Sequence, residues 1–460
     1  METTTRDARY GDFLAKRTQW HGDSGFSVES LPSFLFDFQA DLVSWALRKG
    51  RAAILADCGL GKTAMQLAWA DEVVRRENKP VLLLTPLAVG PQTLYEAEKF
   101  GISAARSRDG KVSGNKIWIT NYQQLQKFDP REFAGVVCDE SSAIKDFKSA
   151  TKGAVVEFMR NIPYRLLCTA TAAPNDYWEL GTSSEALGYL GFRDMITTFF
   201  KQELAARGTL GWGQTKYRFR GHAELPFWTW VCSWARCIRK PSDIGYDDSG
   251  FALPPLHEHE YVVQSAKLRD GMLFTLPAGN LQEQREERRN SIDERVAKAC
   301  ECVVNHEGPS VIWCELNAEG DALERAIPDA EQVTGSMDDE AKEELLDAFS
   351  RGELSRLITK PKIGCWGLNW QHCSNVVTFP SHSFEQYYQA VRRCWRFGQL
   401  RPVTVSLVVS EGEDGVLRSI KRKMHQAERM FESLRQHMND PRALIKNERF
   451  INQEELPSWL

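Results

Sequence analysis

The residues best suited to chemistry lie in one glycine-rich stretch, Ala56-Asp57-Cys58-Gly59-Leu60-Gly61-Lys62-Thr63. Gly59 and Gly61 allow backbone N–H groups to close around phosphate oxygens, and a helix that starts here adds its positive end. Lys62 is placed to reach the β- and γ-phosphates of a nucleoside triphosphate, and the Thr63 hydroxyl to ligate magnesium. The stretch predicts a phosphate-binding loop, although an alanine opens it where the general pattern has glycine. The alternative is a chance glycine-rich turn.

Two adjacent carboxylates, Asp139 and Glu140, follow the apolar run Val136-Val137-Cys138. Asp139 is placed to hold magnesium through water, and Glu140 to orient and deprotonate the attacking water. Alone, an Asp-Glu pair at a strand end is more typical of a solvated turn. A phosphate loop upstream favours the catalytic interpretation, which is hydrolysis of a nucleoside triphosphate.

Two arginines in the second half of the chain are the third set of residues suited to this chemistry. Arg393 and Arg396 are three residues apart, so a helix directs both to one face. An arginine that meets the γ-phosphate neutralises charge in the transition state and contributes about 10³–10⁵ in rate. The alternative is an arginine-rich solvated helix, because Arg392 and Arg401 are close by. The following Gly398-Gln399 favours the catalytic interpretation.

Two blocks of alternating strands and helices are predicted to position these residues. Short apolar runs alternate with helical patterns from about Leu31 to Met195, and again from about Ser310 to Ser410. This alternation predicts parallel sheets flanked by helices. The predicted strands are 52–56, 81–85, 116–120, 135–138 and 165–169 in the first block, and 311–314, 356–359, 375–379 and 403–409 in the second.

The length of 460 residues fits two or three domains. Between the blocks, residues 201–240 carry eight Lys or Arg and two acidic residues, together with several tryptophans. The predicted division has five parts: an N-terminal extension at 1–30, an ATP-binding lobe at 31–195, a helical, basic and tryptophan-rich insertion with linker at 196–300, a second lobe at 301–410, and a helical tail at 411–460.

Composition excludes several classes of protein. A formal net charge of −4 argues against coating nucleic acid by bulk charge, although a local basic track remains compatible with it. The eleven cysteines form no C-x-x-C pair, so no structural metal is expected. No apolar run reaches the roughly 20 residues that span a bilayer, and the first residues have no apolar signal region. The expected location is the cytoplasm of a bacterial or phage-infected cell.

Several motifs together resemble those of superfamily-two helicases. The stretch Asp139-Glu140-Ser141-Ser142 is similar to the Asp-Glu box, and Thr169-Ala170-Thr171 closes the next strand as the third motif does. Phe38-Gln39 lies where that family recognises adenine with a glutamine. The stretch 364–369 resembles the fifth motif and 389–399 the sixth. The end of the sixth motif, from Arg396 onward, is most similar to the Swi/Snf-type branch. Within that branch, the chain resembles compact phage- or prophage-encoded helicase-like proteins.

This resemblance implies an α/β fold with two RecA-like lobes, each a mostly parallel sheet flanked by helices, with a helical basic insertion and a helical C-terminal tail. It implies ATP and Mg²⁺ as cofactors, and a site split between the lobes. The implied nucleotide contacts include Gln39, Gly367 and Asn369. Ser142, Ala173 and Trp395 depart from the branch's pattern. Those departures bear on the strength of coupling between the lobes, since none removes a group that touches phosphate or magnesium.

The resemblance also implies a nucleic-acid track over the lobe faces near Thr85, Thr120, Asn121 and Thr359. Short polar side chains suit phosphate contacts, but the alternative is ordinary strand-end capping and turn chemistry, which composition alone favours. In the basic stretch, the cations that are candidates to grip a duplex backbone are Arg218, Arg220, Arg239 and Lys240. The alternative is a small tryptophan core with solvated charges, and both interpretations are compatible, with tryptophan inside and arginine outside.

The function predicted from these features is a DNA-dependent ATPase that translocates on DNA, with the duplex favoured. An RNA or single-stranded-DNA helicase is the alternative within the class. A nucleic-acid-binding clamp that ATP switches with little turnover is the alternative outside it. Replication or recombination proteins are candidate partners, and no membrane association is expected. No carboxylate-rich nuclease constellation lies outside the two blocks.

Overall fold

The computed structural model describes residues 23–146, 149–171, 173, 176–203, 216–265, 281–364 and 368–438. Most of the predicted N-terminal extension, the predicted nucleotide contact Gly367 and the end of the tail therefore lie outside the described residues. The chain divides into two compact units. Unit 1 comprises Met1–Asp248 with Ala427–Leu460, and unit 2 comprises Ser249–Gln426.

Unit 1 is built on a seven-stranded sheet with the strand order β3-β4-β2-β5-β6-β1-β9, in which every pair is parallel. A separate antiparallel hairpin is formed by β7 and β8. The strands are β1 (Arg51–Ala56), β2 (Val81–Thr85), β3 (Ala104–Arg106), β4 (Ile117–Asn121), β5 (Gly135–Asp139), β6 (Tyr164–Cys168), β7 (Phe200–Glu203), β8 (Lys216–Phe219) and β9 (Ala235–Ile238).

Helices cover this sheet because the middle of most of its strands is apolar. All residues of β2 and β5 are buried, as expected for parallel strands with helices on both faces. The helices of unit 1 are α1 (Asp37–Lys49), α2 (Lys62–Glu77), α3 (Gly90–Lys99), α4 (Ala150–Met159), α5 (Leu180–Leu187), α6 (Phe192–Phe199) and α7 (Glu224–Cys232).

Unit 2 contains a six-stranded parallel sheet with the order β10-β15-β14-β11-β13-β12. Its strands are β10 (Leu256–Val263), β11 (Ser310–Trp313), β12 (Ala330–Val333), β13 (Arg356–Thr359), β14 (Asn375–Thr378) and β15 (Val403–Ser410). The helices that follow in the chain are α8 (Leu281–Asn290), α9 (Ile292–Val304), α10 (Asn317–Ala326), α11 (Asp339–Ser350), α12 (Pro361–Gly364), α13 (Phe384–Cys394) and α14 (Asp414–Met438).

The predicted mostly parallel α/β architecture and the helical tail are confirmed. The stretch predicted as one insertion, 196–300, is instead shared between the units. Its strand β9 extends the sheet of unit 1 beside β1, and its strand β10 extends the sheet of unit 2 beside β15. Between α6 and β9, the same stretch also contains the β7–β8 hairpin and the helix α7. The short strands β3 and β12 were not predicted, because three or four residues give too brief an apolar pattern.

The tryptophans of the basic stretch lie inside unit 1. Trp228, Trp230 and Trp234 are at most 2% exposed and belong to the hydrophobic core of that unit. The same core contains Met430, Leu434 and Met438 from the second half of α14. The helical tail therefore contributes to the core of unit 1, since the apolar side chains of α14 pack there rather than facing water.

Candidate functional site

The glycine-rich loop connects β1 to α2, where β1 ends at Ala56 and α2 begins at Lys62. Gly59 and Gly61 have φ values of 87° and 75°, in the left-handed region that L side chains rarely adopt. A Cβ atom at Gly61 would lie 2.3 Å from Nε2 of Gln39. Glycine is therefore required at position 61 for two reasons, backbone conformation and space.

Lys62 turns back onto its own loop. Its Nζ donates hydrogen bonds to the carbonyl oxygens of Ala56 at 3.0 Å and Asp57 at 3.3 Å. The backbone N–H of Cys58 donates to Oδ1 of Asp57 at 2.6 Å, which tightens the turn. The ammonium group is thus held within the loop, where the phosphate oxygens of a nucleotide would be alternative acceptors for it. Thr63 follows in the first turn of α2, with its side chain partly exposed.

Gln39 connects α1 to the loop. Its Nε2 donates to the carbonyl oxygen of Leu60 at 2.9 Å, and its Oε1 accepts from the backbone N–H of Phe36 at 3.0 Å. The side chain is 3% exposed. Both ends of the amide that was predicted to recognise adenine therefore hold protein backbone, and Gln39 fixes the position of the loop.

The two carboxylates lie at the carboxyl end of β5 and are both buried, at 7% exposure for Asp139 and 6% for Glu140. Oδ1 of Asp139 accepts a hydrogen bond from Nε2 of Gln66 on α2 at 2.7 Å. Burial and the neighbouring charge of Glu140 raise the pKa of Asp139 to about 6. A buried carboxylate whose ionised form is disfavoured gains strongly from a bound cation, so Asp139 fits a magnesium ligand.

Glu140 adopts a left-handed backbone conformation with φ 50° and precedes a short 3₁₀ turn, Ser141–Ile144. Thr169, just after β6, donates its hydroxyl to Oε2 of Glu140 at 3.3 Å, and its oxygen accepts from the N–H of Thr171 at 3.0 Å. The β5–β6 register pairs Asp139 with Cys168, which brings Thr169 beside the carboxylate of Glu140. Strand register therefore aligns the third motif with the Asp-Glu box.

The sequence analysis predicted no role for three residues of this site, Gln66, Thr169 and Tyr122. The hydroxyl of Tyr122 donates to the carbonyl oxygen of Asp139 at 2.7 Å. Gln66 lies one helical turn after Lys62 on α2, so the i, i+4 spacing is the signal that points it toward the site. No local signal exists for Tyr122, because its contact depends on how β4 and β5 are placed in the sheet.

In unit 2 the predicted arginines converge on one carbonyl oxygen. Nη1 of Arg393 and Nη1 of Arg396 donate to the oxygen of Leu368 at 3.0 Å and 3.2 Å. Arg393 also bonds Gln389 through its Nε and Nη2, and its own carbonyl accepts from the N–H of Trp370 at 2.9 Å. Asn369, partly exposed, lies between these contacts. The fifth and sixth motifs therefore form one cluster, in which Arg393 is buried and Arg396 is more open.

The hydroxyl side chains predicted for nucleic acid differ in their surroundings. Thr359 is fully buried and donates to the carbonyl oxygen of Val333 at 3.2 Å, and Thr85 donates to that of Thr120 at 3.5 Å. Oδ1 of Asn121 caps the N–H of Gln124 at 3.1 Å. The Thr120 hydroxyl has no hydrogen-bond partner among the described residues, although the residue is only 5% exposed.

The four predicted basic contacts are all exposed, but they carry intramolecular bonds. Nε of Arg220 donates to the carbonyl oxygen of Phe200 at 2.7 Å, and Lys240 forms an ion pair with Asp248 at 3.1 Å. Arg239 lies over the ring of Phe431 on α14, 4.3 Å from its centroid. Arg218 sits opposite Lys201 on the hairpin.

Within the described ranges, no helix has the length and apolar character that crossing a membrane requires. Across the same ranges, no three or more His, Cys, Asp or Glu side chains are grouped to hold a metal ion.

Parts of this chain are similar to known helicases. The model described as Helicase conserved C-terminal domain matches residues 294–398. Protein p41 of Acyrthosiphon pisum secondary endosymbiont phage 1 is 22% identical over 437 residues, which cover 81% of this chain and 92% of that protein. SWI/SNF-related matrix-associated actin-dependent regulator of chromatin subfamily A-like protein 1 of Xenopus tropicalis is 29% identical over 169 residues, which are 34% of this chain but only 18% of that longer protein.

A solved structure of S. cerevisiae Dbp5 bound to RNA and ADP BeF3 superposes with a TM-score of 0.54 at 13% identity, covering 88% of this chain and 94% of that one. At this identity the likeness concerns the fold. The fold and site together define an ATPase with two RecA-like domains and a phosphate loop. The helicase domain matched at residues 294–398, the Swi/Snf-like relatives and the phage-encoded relative together support a superfamily-two helicase, which is a nucleic-acid-dependent ATPase.

Proposed function

We propose that this protein couples ATP hydrolysis to translocation on DNA, with duplex DNA as its track. The observation that carries the proposal is the buried pair Asp139 and Glu140, held by Gln66 and Thr169 at the edge of the phosphate loop. A nucleotide-binding clamp with little turnover has no need of a positioned general base. The regulator of chromatin among the relatives supports DNA as the track.

In this proposal the residues of unit 1 bind and hydrolyse ATP. Lys62 and the N–H groups of the loop bind the phosphates, and Glu140 orients a water and accepts its proton. Asp139 and Thr63 would hold Mg²⁺, which neutralises charge on the phosphates. Arg393 and Arg396 of unit 2 would stabilise the charge that develops on the γ-phosphate, as the family resemblance implies. Alternation between nucleotide states then moves the protein along its track.

ATP turnover tests the proposal most directly. Phosphate release is measured without nucleic acid and with duplex DNA, single-stranded DNA or RNA. We expect duplex DNA to stimulate most, and Glu140→Gln to lower the stimulated rate by about 10²–10⁴-fold, because it removes the general base. The matched control is Glu132→Gln, which changes an exposed glutamate of the same unit. Absence of stimulation by every nucleic acid, with a wild-type rate for Glu140→Gln, would refute the proposal.

A second pair of assays separates the alternatives. Displacement of a triplex-forming strand reports movement along a duplex, whereas release of one strand reports unwinding. Triplex displacement without strand release is the expected result. Stronger stimulation by RNA or single-stranded DNA would instead favour the alternative, an RNA or single-stranded-DNA helicase. The structure of Dbp5, which has a similar fold, was solved with RNA bound. We also propose that the protein is located in the cytoplasm and that its partners are replication or recombination proteins.

A further inference from the structure

Tyr122 is the first residue after β4, and Asp139 is the last residue of β5. In the sheet of unit 1, β2 lies between these two strands. Neighbouring strands are about 4.8 Å apart, so a group on Tyr122 has to cross roughly 10 Å to reach the end of β5. A tyrosine side chain, with a hydrogen bond at its tip, is long and rigid enough to span this gap.

The hydroxyl of Tyr122 donates to the carbonyl oxygen of Asp139 at 2.7 Å. The tyrosine side chain packs against the hydrophobic core of unit 1. Its backbone starts the 3₁₀ turn Tyr122–Lys127, which Asn121 caps, because Oδ1 of Asn121 accepts from the N–H of Gln124 at 3.1 Å. The capped turn and the core contacts together fix the position of the hydroxyl.

The Tyr122 hydroxyl acts as a donor over a wide range of pH. Burial raises the pKa of Tyr122 well above its usual value, and the neighbouring Cys138, Asp139 and Glu140 act in the same direction. The hydroxyl therefore keeps its proton, and its hydrogen bond to the carbonyl oxygen persists wherever the protein is folded.

The carbonyl that Tyr122 holds belongs to the peptide group between Asp139 and Glu140. Because a peptide group is planar, a donor that fixes this carbonyl also fixes the N–H of Glu140. Glu140 has φ 50°, a conformation that surrounding contacts must maintain in a residue other than glycine. Rotation of this peptide plane would change φ of Glu140 and redirect its carboxylate.

Glu140 is thus held at two separate points. Tyr122 fixes the peptide group on its amino side, whereas Thr169 donates to Oε2 of its carboxylate at 3.3 Å. The two contacts come from different strand ends, those of β4 and β6. Each restricts a motion that the other leaves open, because one acts on the backbone and the other on the tip of the side chain.

We propose that Tyr122 is a positioning residue for ATP hydrolysis, which fixes the peptide group between the magnesium ligand Asp139 and the general base Glu140. The inference rests on the proposed function, in which these two carboxylates have those roles. Tyr122 acts through Glu140 and is not itself a reacting group. Its loss should therefore slow the chemical step and leave nucleotide binding intact.

Tyr122→Phe tests the proposal, because it keeps the ring and removes only the donor. We expect kcat for ATP, measured with saturating nucleic acid, to fall about 2- to 10-fold with little change in KM. Tyr189→Phe is the matched control. The hydroxyl of Tyr189 also donates to a strand carbonyl at 2.7 Å, but at Arg51, the amino end of β1. Both variants should lower the unfolding temperature by similar amounts, yet only Tyr122→Phe should lower kcat.

The same substitution in a Glu140→Gln background separates positioning from a general loosening of the fold. A residue that acts through the Glu140 carboxylate should cause no further loss once that carboxylate is gone. Equal losses in the two backgrounds would overturn the proposal, as would equal kcat values for Tyr122→Phe and Tyr189→Phe. In both cases a slow Glu140→Gln variant would leave the proposed function standing. A parental rate in Glu140→Gln would instead overturn the proposed function, and this inference with it.

Discussion

Glu140 takes its orientation from two sources, a left-handed backbone with φ 50° and a hydrogen bond from Thr169. Asparagine, aspartate and glycine tolerate this backbone region better than glutamate does, so the conformation is kept by the structure around it. The 3₁₀ turn that follows and the bond from Thr169 supply that support. In the proposed mechanism, Thr169 is therefore a positioning residue that acts through Glu140.

We expect Thr169→Val to lower kcat about 2- to 10-fold with little change in KM for ATP, because loss of one neutral hydrogen bond leaves the general base less well oriented. Thr169→Ser keeps the hydroxyl and should restore most of the rate. Steady-state ATP turnover with saturating nucleic acid measures both. A matched control is Thr197→Val, on the exposed side of α6. A serine variant as slow as the valine variant would contradict the positioning role.

Asp139 has a pH dependence whose sign follows from burial, which with Glu140 raises the pKa of Asp139 to about 6. Between about pH 4 and 6 the native state holds a proton that the unfolded state has released, so stability falls as pH rises through that window. Asp139→Asn removes this penalty. We expect the variant to unfold at a higher temperature than the parent near pH 8, and the difference to shrink near pH 4.

Thermal unfolding without nucleotide or magnesium, followed by circular dichroism at both pH values, measures the effect. Asp194→Asn is the matched control, because Asp194 is exposed on α6. Magnesium added together with a nucleotide should stabilise the parent protein more than Asp139→Asn near pH 8, since in the proposed function the Asp139 carboxylate would be a ligand of the ion. An Asp139→Asn variant less stable than the parent near pH 8 would show that the buried charge is already compensated within the protein.

At the scale of elements, the phosphate loop depends on the helix that precedes it in the chain. α1 supplies Gln39, which holds the Leu60 carbonyl and occupies the space that a side chain at position 61 would need. The strand–loop–helix unit is thus not self-sufficient. Its geometry requires α1 to pack beside α2.

Gly61→Ala should weaken ATP binding by about tenfold or more, because the new Cβ displaces Gln39 and strains a positive φ. Gly245→Ala is the control, since Gly245 has φ 89° but no atom within 4 Å of the added Cβ. Both substitutions carry a backbone cost of roughly 1–2 kcal/mol. Nucleotide binding, followed with a fluorescent ATP analogue, should fall only for Gly61→Ala. Equal losses in the two variants would mean that backbone strain alone matters.

The helix α14 contributes buried side chains to the hydrophobic core of unit 1. Its second half buries Leu434 at 0% exposure in the core of unit 1, and Arg239 contacts Phe431 there. Arg239 also reaches the Glu428 carbonyl oxygen at 3.4 Å. Arg239 is therefore engaged with the tail, which leaves less of its guanidinium for nucleic acid.

Leu434→Ala should lower the free energy of unfolding by about 2–5 kcal/mol, as a large-to-small change in a packed core does. Gln436→Ala on the exposed face of the same helix should change it by less than about 0.5 kcal/mol. Urea denaturation of both variants measures the difference. A Leu434→Ala variant as stable as the parent would show that the tail is dispensable for unit 1.

At the scale of the whole molecule, each unit carries only part of the predicted chemistry. Unit 1 has the loop and the carboxylates, whereas unit 2 has Arg393 and Arg396. Arg393 ties the fifth motif to the sixth through Gln389 and Leu368, so its replacement would disturb both. Arg396 is more open and makes the cleaner test.

Arg396→Gln should reduce stimulated ATP turnover by about 10³-fold or more while ATP binding changes only a few-fold, because the guanidinium acts on transition-state charge. Single-turnover kinetics and equilibrium nucleotide binding separate the two effects. Arg418→Gln, at a side chain that is 68% exposed on α14, is the control. Normal turnover in Arg396→Gln would show that unit 2 supplies no such group at this position.

The sequence by itself determined the features that short spacing encodes. The loop at Gly59–Thr63, the pair Asp139 and Glu140, and the strands β2 and β13 were placed from local pattern, because each is a few residues at one strand end. The order of those patterns also specified two parallel sheets. Short strands such as β3, and strands such as β9 whose neighbours are distant in sequence, were not predictable, since only pairing with another strand defines them.

Tertiary structure decided which side chains meet. Gln39 and Leu60 are 21 residues apart, Glu140 and Thr169 are 29 apart, and Gln66 and Asp139 are 73 apart. It also decided that the second half of α14 joins the core of unit 1. Strand register and helix packing fix these pairs, because a contact between distant segments depends on the free energy of the whole fold and leaves no local signal.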